Sequence, residues 1–356
     1  MWLPSQSDDS LAPAADIPVR VVVCDDSPFF RRLARTMLAQ ADGVEVVGEA
    51  SDGHDAIDLV RRLRPDVLML DLELPDIDGE TVLAAVDDTQ VRVVVVSSVV
   101  GSRSSERAVA CLAAGALDVI AKPTEATTHD HFAQSLRATI IEIGRRLVPP
   151  KRHPLLARAP SRPFGRPAGE PAHLIVLGAS TGGPASIEFI LHALPGDLPV
   201  PILVVQHMPP GFGSAFARRL DRSVAISVSE AHDGASIEPG KVLVAETGRH
   251  LHIAGEVVHV RSGARVNGMC PSVDVTLFDA ATVWGDQVTA FILTGMGRDG
   301  CAGARAIREA GGRVYVQDRS TCAVWGMPRA VVEAGLAHGS IPLDEIPSLI
   351  VREAHG

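Results

Sequence analysis

The 356-residue chain is short of aromatic residues, at 4 %, so its cores must be packed chiefly by valine, leucine, isoleucine and alanine. Cysteine is scarce as well. The five present (Cys24, Cys111, Cys270, Cys301, Cys322) are scattered, odd in number and never in a Cys-x-x-Cys pair. That pattern argues against a disulfide framework or a zinc site and fits a reducing cytoplasm. No segment approaches the ~18–20 continuous apolar residues of a membrane span, and no basic stretch precedes an apolar run at the N-terminus. No integral membrane segment is expected, therefore. Net positive charge is missing too: a formal charge of -10 argues against a nucleic-acid partner held through its phosphates. What remains is a globular balance of 46 % hydrophobic and 21 % charged residues, in a chain long enough for two α/β domains.

The organisation along the chain follows from periodicity. Residues 1–17, with Pro4, Asp8, Asp9, Pro13 and Asp16, read as a polar leader. From residue 18, short β-branched runs alternate with amphipathic stretches. Val19–Cys24, Val44–Ala50, Val67–Asp71, Val91–Ser98 and Asp118–Ala121 are expected strands. Phe29–Gln40, Gly53–Leu63, Ser104–Ala114 and Asp130–Arg145 carry helical spacing. Near-continuous apolar strands between helices imply a parallel sheet covered on both faces, here a domain over 18–140. Residues 141–171 hold a helix end and then a linker carrying Pro149, Pro150, Pro154, Pro160, Pro163, Pro167 and Pro171, a composition that suits an extended, semi-rigid segment. A second α/β pattern fills 172–356. Its expected strands are His173–Leu177, Pro201–Gln206, Ala225–Val228, Lys241–Ala245, Ala290–Leu293 and Val314–Gln317. Its helices are about Ala185–Leu194, Gly213–Arg222, Val273–Thr282 and Gly300–Ala310. His250–Arg261 alternates like an inserted antiparallel hairpin. The expected fold class is α/β, with two doubly wound parallel-sheet domains.

In the first domain, unusual residues stand at strand ends. Asp25 and Asp26 follow the first strand, Asp71 ends the third, Ser97 ends the fourth, and Lys122 follows the fifth. In an open parallel sheet these carboxyl ends converge on one edge. Three carboxylates there repel one another unless a cation neutralises them, and magnesium suits oxygen ligands that leave positions for water and phosphate. Lys122 can pair with a phosphoryl oxygen, and the Ser97 hydroxyl can sense it. The segments Val21–Ser27, Leu70–Gly79, Ser97-Ser98 and Ala121-Lys122-Pro123 resemble the receiver domain of response regulators over about residues 18–140. The resemblance implies that Asp71 accepts phosphate from a histidine kinase. It also places Asp25, Asp26, Asp71 and the backbone of Glu73 around Mg2+, and makes Ser97 and Lys122 switch residues.

The second domain opens on a strand, the turn Gly178-Ala179-Ser180-Thr181-Gly182-Gly183, and a helix with Pro184 at its start. The turn satisfies G-x-S-x-G, in which glycines allow a sharp bend that exposes a serine hydroxyl. A phosphate-binding or purely structural turn is an open alternative at this point. A nucleophilic serine needs a base, and the base an orienting acid. His207 follows the strand Pro201–Gln206, and Asp299 follows Ala290–Leu293 through a glycine-rich segment, so both lie at strand carboxyl ends near Ser180. His192 lies within a helix. His250, His252 and His259 fall in the hairpin, and Asp274 and Asp279 in a helical stretch, all weaker candidates.

Gly178–Gly183 (GASTGG), Gln206–Pro209 (QHMP), Pro271–Asp274 (PSVD), Thr294–Gly300 (TGMGRDG) and Gly326–Arg329 (GMPR) resemble the catalytic domain of chemotaxis protein-glutamate methylesterases, the CheB type, over about 172–353. The resemblance implies a receiver followed by a Rossmann-like esterase domain that hydrolyses glutamate methyl esters on chemoreceptors and deamidates certain glutamines. It implies Ser180 as nucleophile, His207 as base, Asp299 as orienting acid, and backbone donors of Thr181 and Met296 for the oxyanion, with no cofactor for the esterase reaction. The receiver is expected to cover the active-site edge until phosphorylated. One departure stands out: a basic residue is expected before Pro-Ser-Val-Asp, but the segment is Asn267-Gly268-Met269-Cys270. Other readings are a receiver-controlled acyl or amide hydrolase for a non-chemotaxis protein, or a catalytically silent docking regulator, the latter disfavoured by an intact Ser180, His207 and Asp299.

Overall fold

The computed structural model describes residues 17–98, 102–123, 129–145 and 172–356; most of the leader and all but the first residues of the 141–171 segment lie outside them. In chain order the first unit comprises β1 (Val19–Cys24), α1 (Pro28–Leu38), β2 (Val44–Ala50), α2 (Gly53–Leu63), β3 (Val67–Leu70), α3 (Gly79–Val86), β4 (Arg92–Ser97), α4 (Ser102–Ala114), β5 (Asp118–Ala121) and α5 (His129–Gly144). Its sheet runs β2-β1-β3-β4-β5, all parallel. The apolar residues of β1, β3 and β4 are buried on both faces, the reason these runs read as near-continuous valine and leucine, whereas the edge strand β2 is half-buried along most of its length. Helix starts are set locally. Ser27 caps α1 by accepting from Phe30 N (3.3 Å) with Pro28 as its first residue, and Asp52 and Asp78 cap α2 and α3 by accepting from Asp55 N (2.9 Å) and Thr81 N (2.8 Å).

The second unit comprises β6 (Leu174–Ala179), α6 (Gly183–His192), β7 (Ile202–Gln206), α7 (Gly213–Ser223), β8 (Ser227–Glu230), β9 (Lys241–Val244), β10 (His250–Ala254), β11 (Val257–Arg261), α8 (Val273–Trp284), β12 (Val288–Ile292), α9 (Cys301–Glu309), β13 (Arg313–Gln317), α10 (Met327–Glu333), β14 (Gly339–Ile341) and α11 (Ile346–His355). Its sheet runs β14-β13-β12-β6-β7-β9-β8, again parallel throughout, while β10 and β11 form the separate antiparallel hairpin. The sequence order reverses around β6, which has β7 on one side and β12 on the other. Crevices outside the carboxyl ends of strands at such reversals are where ligands bind.

The two units touch. Val109 of α4 lies in the apolar cluster built around β6 and α6, and Phe212 joins the cluster under α2, α3 and α4. Val324 and, in part, Met296 pack into the cluster around α1, α5 and β1. No helix among the described residues is long and apolar enough to cross a membrane.

Candidate active site

Register brings the catalytic candidates together. Ala179, the last residue of β6, pairs with Gln206, the last of β7, so Ser180 and His207 leave the sheet side by side, and His207 N donates to Ala179 O (3.0 Å). On the other side Gly178 pairs with Ile292 of β12, and Ser180 N donates to Thr294 O (3.0 Å). The turn itself leaves no room for side chains. Gly182 has φ +75°, and a Cβ on Gly183 would fall 2.0 Å from Gln206 Oε1. The Gln206 amide nitrogen braces the bend by donating to Ser180 O (3.0 Å) and His207 O (2.8 Å).

His207 Nε2 donates to Asp299 Oδ2 (2.9 Å), and its Nδ1 is buried with no partner among the described residues. The ring therefore has its proton on the Asp299 side, and the lone pair of Nδ1 is engaged by no described residue. Asp299, 2 % exposed, also accepts from Ser272 Oγ (2.8 Å), Asn267 Nδ2 (2.9 Å) and Val273 N (2.7 Å). Burial alone would raise its pKa. The hydrogen bond from His207, with those from Asn267 and Ser272, outweighs burial and holds the carboxyl well below the usual range, so it stays ionised.

Neither Thr181 N nor Met296 N donates to a described residue, whereas the neighbouring Gly182 N and Gly295 N are bound to Leu117 O (2.8 Å) and Val324 O (2.9 Å). The Thr181 hydroxyl donates to Asp118 Oδ2 at the start of β5, so the first unit holds the turn directly. Burial raises the Asp118 pKa to about 6, against the opposing hydrogen bonds of Thr181 and Val119 N.

The acidic pocket assembles by the same register logic. Cys24 pairs with Leu70 and Ser97 with Ala121, so Asp25 stands beside Asp71, and Ser97 beside Lys122. Lys122 Nζ lies 2.7 Å from Asp25 Oδ2 and 2.6 Å from Asp71 Oδ2. Burial would lower the Lys122 pKa, but the two carboxylates raise it and keep the ammonium charged. Burial, and the charge of Asp71 after it, raise the Asp25 pKa despite Lys122. Carboxylate oxygens of Asp25, Asp26 and Asp71 all lie within 4.8 Å of one another, an all-oxygen donor set that fits a hard divalent cation. Glu73 contributes differently. Its N–H donates to Asp71 Oδ1 (3.3 Å) while its carboxylate accepts from Ser104 Oγ (3.3 Å) and is not among the clustered oxygens. Ser97 is fully buried, its hydroxyl 3.4 Å from Ser98 O.

Sequence reasoning missed four residues. Asp274, set aside as helical, is 3 % exposed beside Asp299. Ser272 and Asn267 donate to Asp299, and both lay in or next to the Pro-Ser-Val-Asp motif without being assigned a role. His250 is buried and accepts from Ser272 N (3.3 Å), bracing that motif from the hairpin. Burial pushes the half-buried Cys270 thiol up, so its reactive thiolate is disfavoured.

Residues 175–350 match the family model of the CheB methylesterase, and residues 21–131 that of the response regulator receiver domain. A protein-glutamate methylesterase/protein-glutamine glutaminase 5 of Myxococcus xanthus is 44 % identical over 351 residues, covering 94 % of this chain and 98 % of that protein. A protein-glutamate methylesterase/protein-glutamine glutaminase of Symbiobacterium thermophilum is 38 % identical over 94 % of this chain and 97 % of its own. The crystal structure of the Thermotoga maritima CheB methylesterase catalytic domain is 40 % identical, covers 51 % of this chain and 97 % of that one, and superimposes with a TM-score of 0.50.

Proposed function

The chain belongs to the CheB family of receiver-linked methylesterases, and from that premise we propose that it is a serine hydrolase of protein glutamate methyl esters, switched on by phosphorylation of Asp71. The observation that carries the reading is the state of His207: Nε2 bound to an ionised Asp299, Nδ1 buried and free, on the strand end beside Ser180.

The chemistry follows from those groups. Ser180 Oγ attacks the ester carbonyl while His207 Nδ1 takes its proton, and Asp299 stabilises the imidazolium. The tetrahedral oxyanion is met by the unspent N–H groups of Thr181 and Met296. Collapse breaks the C–O bond to the methoxy group, which leaves as methanol with the proton from His207. Water, deprotonated by His207, then attacks the acyl-serine and releases glutamate with Ser180 restored. An amide in place of the ester loses ammonia by the same steps, which supports glutamine deamidation as a companion activity.

The receiver supplies control. Asp71 is the acceptor for a phosphoryl group from a histidine kinase, with Asp25 and Asp26 to hold Mg2+ beside it. When bound, the ion neutralises charge between the carboxylates and the phosphoryl oxygens. Lys122 is poised for a phosphoryl oxygen and Ser97 for the switch. Lys122 lies four residues beyond the Asp118 that holds Thr181, and Met296 packs against the receiver's apolar cluster. Both oxyanion candidates are thus in the receiver's grip, which supports inhibition by the unphosphorylated receiver. The substrate is a methylated chemoreceptor, the process chemotaxis adaptation, and the place the cytoplasm.

The test is methanol release from methylated receptor membranes, with and without a small phosphodonor. The parent is expected to release methanol faster with the donor, and Ser180→Ala to release none. No release by the parent in either condition overturns the chemotaxis assignment, and release by the serine variant overturns the nucleophile.

A further inference from the structure

We propose that Asn267 is a positioning residue for hydrolysis: its side-chain amide clamps Asp299 and a second buried carboxylate, Asp274, so that Asp299 is held ionised and aimed at His207. The proposal rests on the reading of Asp299 as the acid that orients the base.

Asn267 Nδ2 donates to Asp299 Oδ1 (2.9 Å) and to Asp274 Oδ2 (2.7 Å). A primary amide has two N–H bonds, so one is spent on each carboxylate. The remaining oxygens are placed by other donors: Asp299 Oδ2 takes His207 Nε2 (2.9 Å), and Asp274 Oδ1 takes Gly303 N (2.7 Å) at the start of α9. Two desolvated carboxylates side by side disfavour double ionisation and tend to share one proton. Burial first, and the charge of Asp299 after it, push Asp274 up, while Asp299 stays low. A proton on Asp299 Oδ2 would remove the acceptor that fixes the His207 tautomer. The bridging amide opposes that outcome by stabilising the negative charge of both partners from between them.

The local sequence explains how a surface turn can deliver a side chain with this accuracy. Val266 and Met269 exchange both backbone bonds (3.0 and 2.9 Å), and the two residues between them have φ of +52° and +78°. These are the positive values a type I′ two-residue turn requires, and Asn-Gly is its preferred pair. Arg265 Nη1 donates to Gly268 O (3.1 Å) and ties the turn from outside. The segment that departs from the expected basic pattern therefore brings a neutral double donor to the acid of the triad.

The turn chemistry also supplies clean variants, since glycine and aspartate both accept a left-handed φ. In steady-state hydrolysis of a protein glutamate methyl ester by the full chain, Asn267→Gly is expected to lower kcat about 10- to 100-fold with KM unchanged, the scale of one hydrogen bond to a charged group. Asn267→Asp places a third carboxylate in the cluster and is expected to be worse. Adding Asp274→Asn to it exchanges amide and carboxylate between two side chains that meet at one amide, beside an Asp299 that also accepts from Asp274 N (3.3 Å). That double variant is expected to recover at least about tenfold in kcat over Asn267→Asp. A turn needed only for folding would lower the thermal midpoint and would not respond to the exchange. Parent-like kcat in Asn267→Gly, or a double variant no better than Asn267→Asp, overturns the clamp. Asp299→Asn assayed alongside separates the cases: if it retains parent activity, the triad reading itself fails.

Discussion

Asp118→Asn should tighten the hold of the receiver on the esterase and erase its pH dependence. Asp118 is half-buried at the boundary, where its carboxylate accepts from the Thr181 hydroxyl. Burial raises its pKa from an ordinary 3.8 to about 6 in the docked arrangement. Undocking returns the group to solvent and to its ordinary value. The docked form thus binds a proton more tightly, so docking is favoured as pH falls and is weakened as pH rises from about 4 to about 6, with no further change above that. Between pH 7.5 and pH 5 the docked form should gain about tenfold, or ~1.4 kcal/mol, over the undocked form. The assay is the ratio of methanol release with and without a phosphodonor across this range. A ratio cancels any pH dependence of the chemical step itself, since the same active site serves both states. In the parent the ratio should rise about tenfold toward acid. An asparagine cannot ionise, yet its carbonyl oxygen still accepts from Thr181, so the variant should show a flat ratio at or above the acid value of the parent. A variant that tracks the parent across pH, or a parental ratio that falls toward acid, would refute this account.

Four further outcomes follow from the same geometry. Asp299→Asn should lower kcat by about 10³- to 10⁴-fold with KM preserved, because the amide stabilises the wrong imidazole tautomer; a loss confined to KM would point to binding instead. Asp71→Ala should keep basal hydrolysis and lose all stimulation by a phosphodonor. Chelating divalent cations should slow phosphorylation of the parent without changing its basal rate, and equal stimulation of Asp71→Ala and parent would remove the switch assignment. Gly295→Ala should be damaging twice over, since its Cβ would lie 2.5 Å from Met327 Sδ and 2.7 Å from Ser180 Cβ. We expect a cost of about 1–3 kcal/mol in urea denaturation and a displaced Ser180 with reduced kcat. Unchanged stability and unchanged rate together would contradict the packing described.

Strands announce themselves in sequence where short runs are dominated by valine, leucine and isoleucine. β1, β2 and β5 carry the expected bounds, while α3, α10, α11 and β14 had no such signal. α3 is eight residues long, and β14 is a three-residue edge strand, Gly-Ser-Ile, half-buried throughout. The expected strand Ala225–Val228 lies two residues too early, and the observed Ser227–Glu230 is also an edge, set by its pairing with β9 rather than by its own composition. The catalytic candidates were legible for a related reason: Ser180 and His207 are each the first residue after a buried parallel strand, where a polar side chain has no packing role.

Asp274 shows where that logic stops. An aspartate in the first turn of a helix reads as a favourable charge beside the helix dipole, and its sequence neighbours say nothing more. Its actual partners are Asn267, Gly303 and Asp299, brought in from a turn, another helix start and a different strand end. Asp118 is similar: it opens a short strand, and its partner Thr181 is 63 residues away across the domain boundary. In both cases the residue type is visible in sequence while its protonation is decided by burial and by donors that only the tertiary structure supplies. Position at a strand end therefore marks the candidates for chemistry. The partners that hold them, Asn267 toward Asp299 and Asp118 toward Thr181, lie off the strand ends or at a strand's start, which is why they emerge only when the two sheets and their loops are seen together.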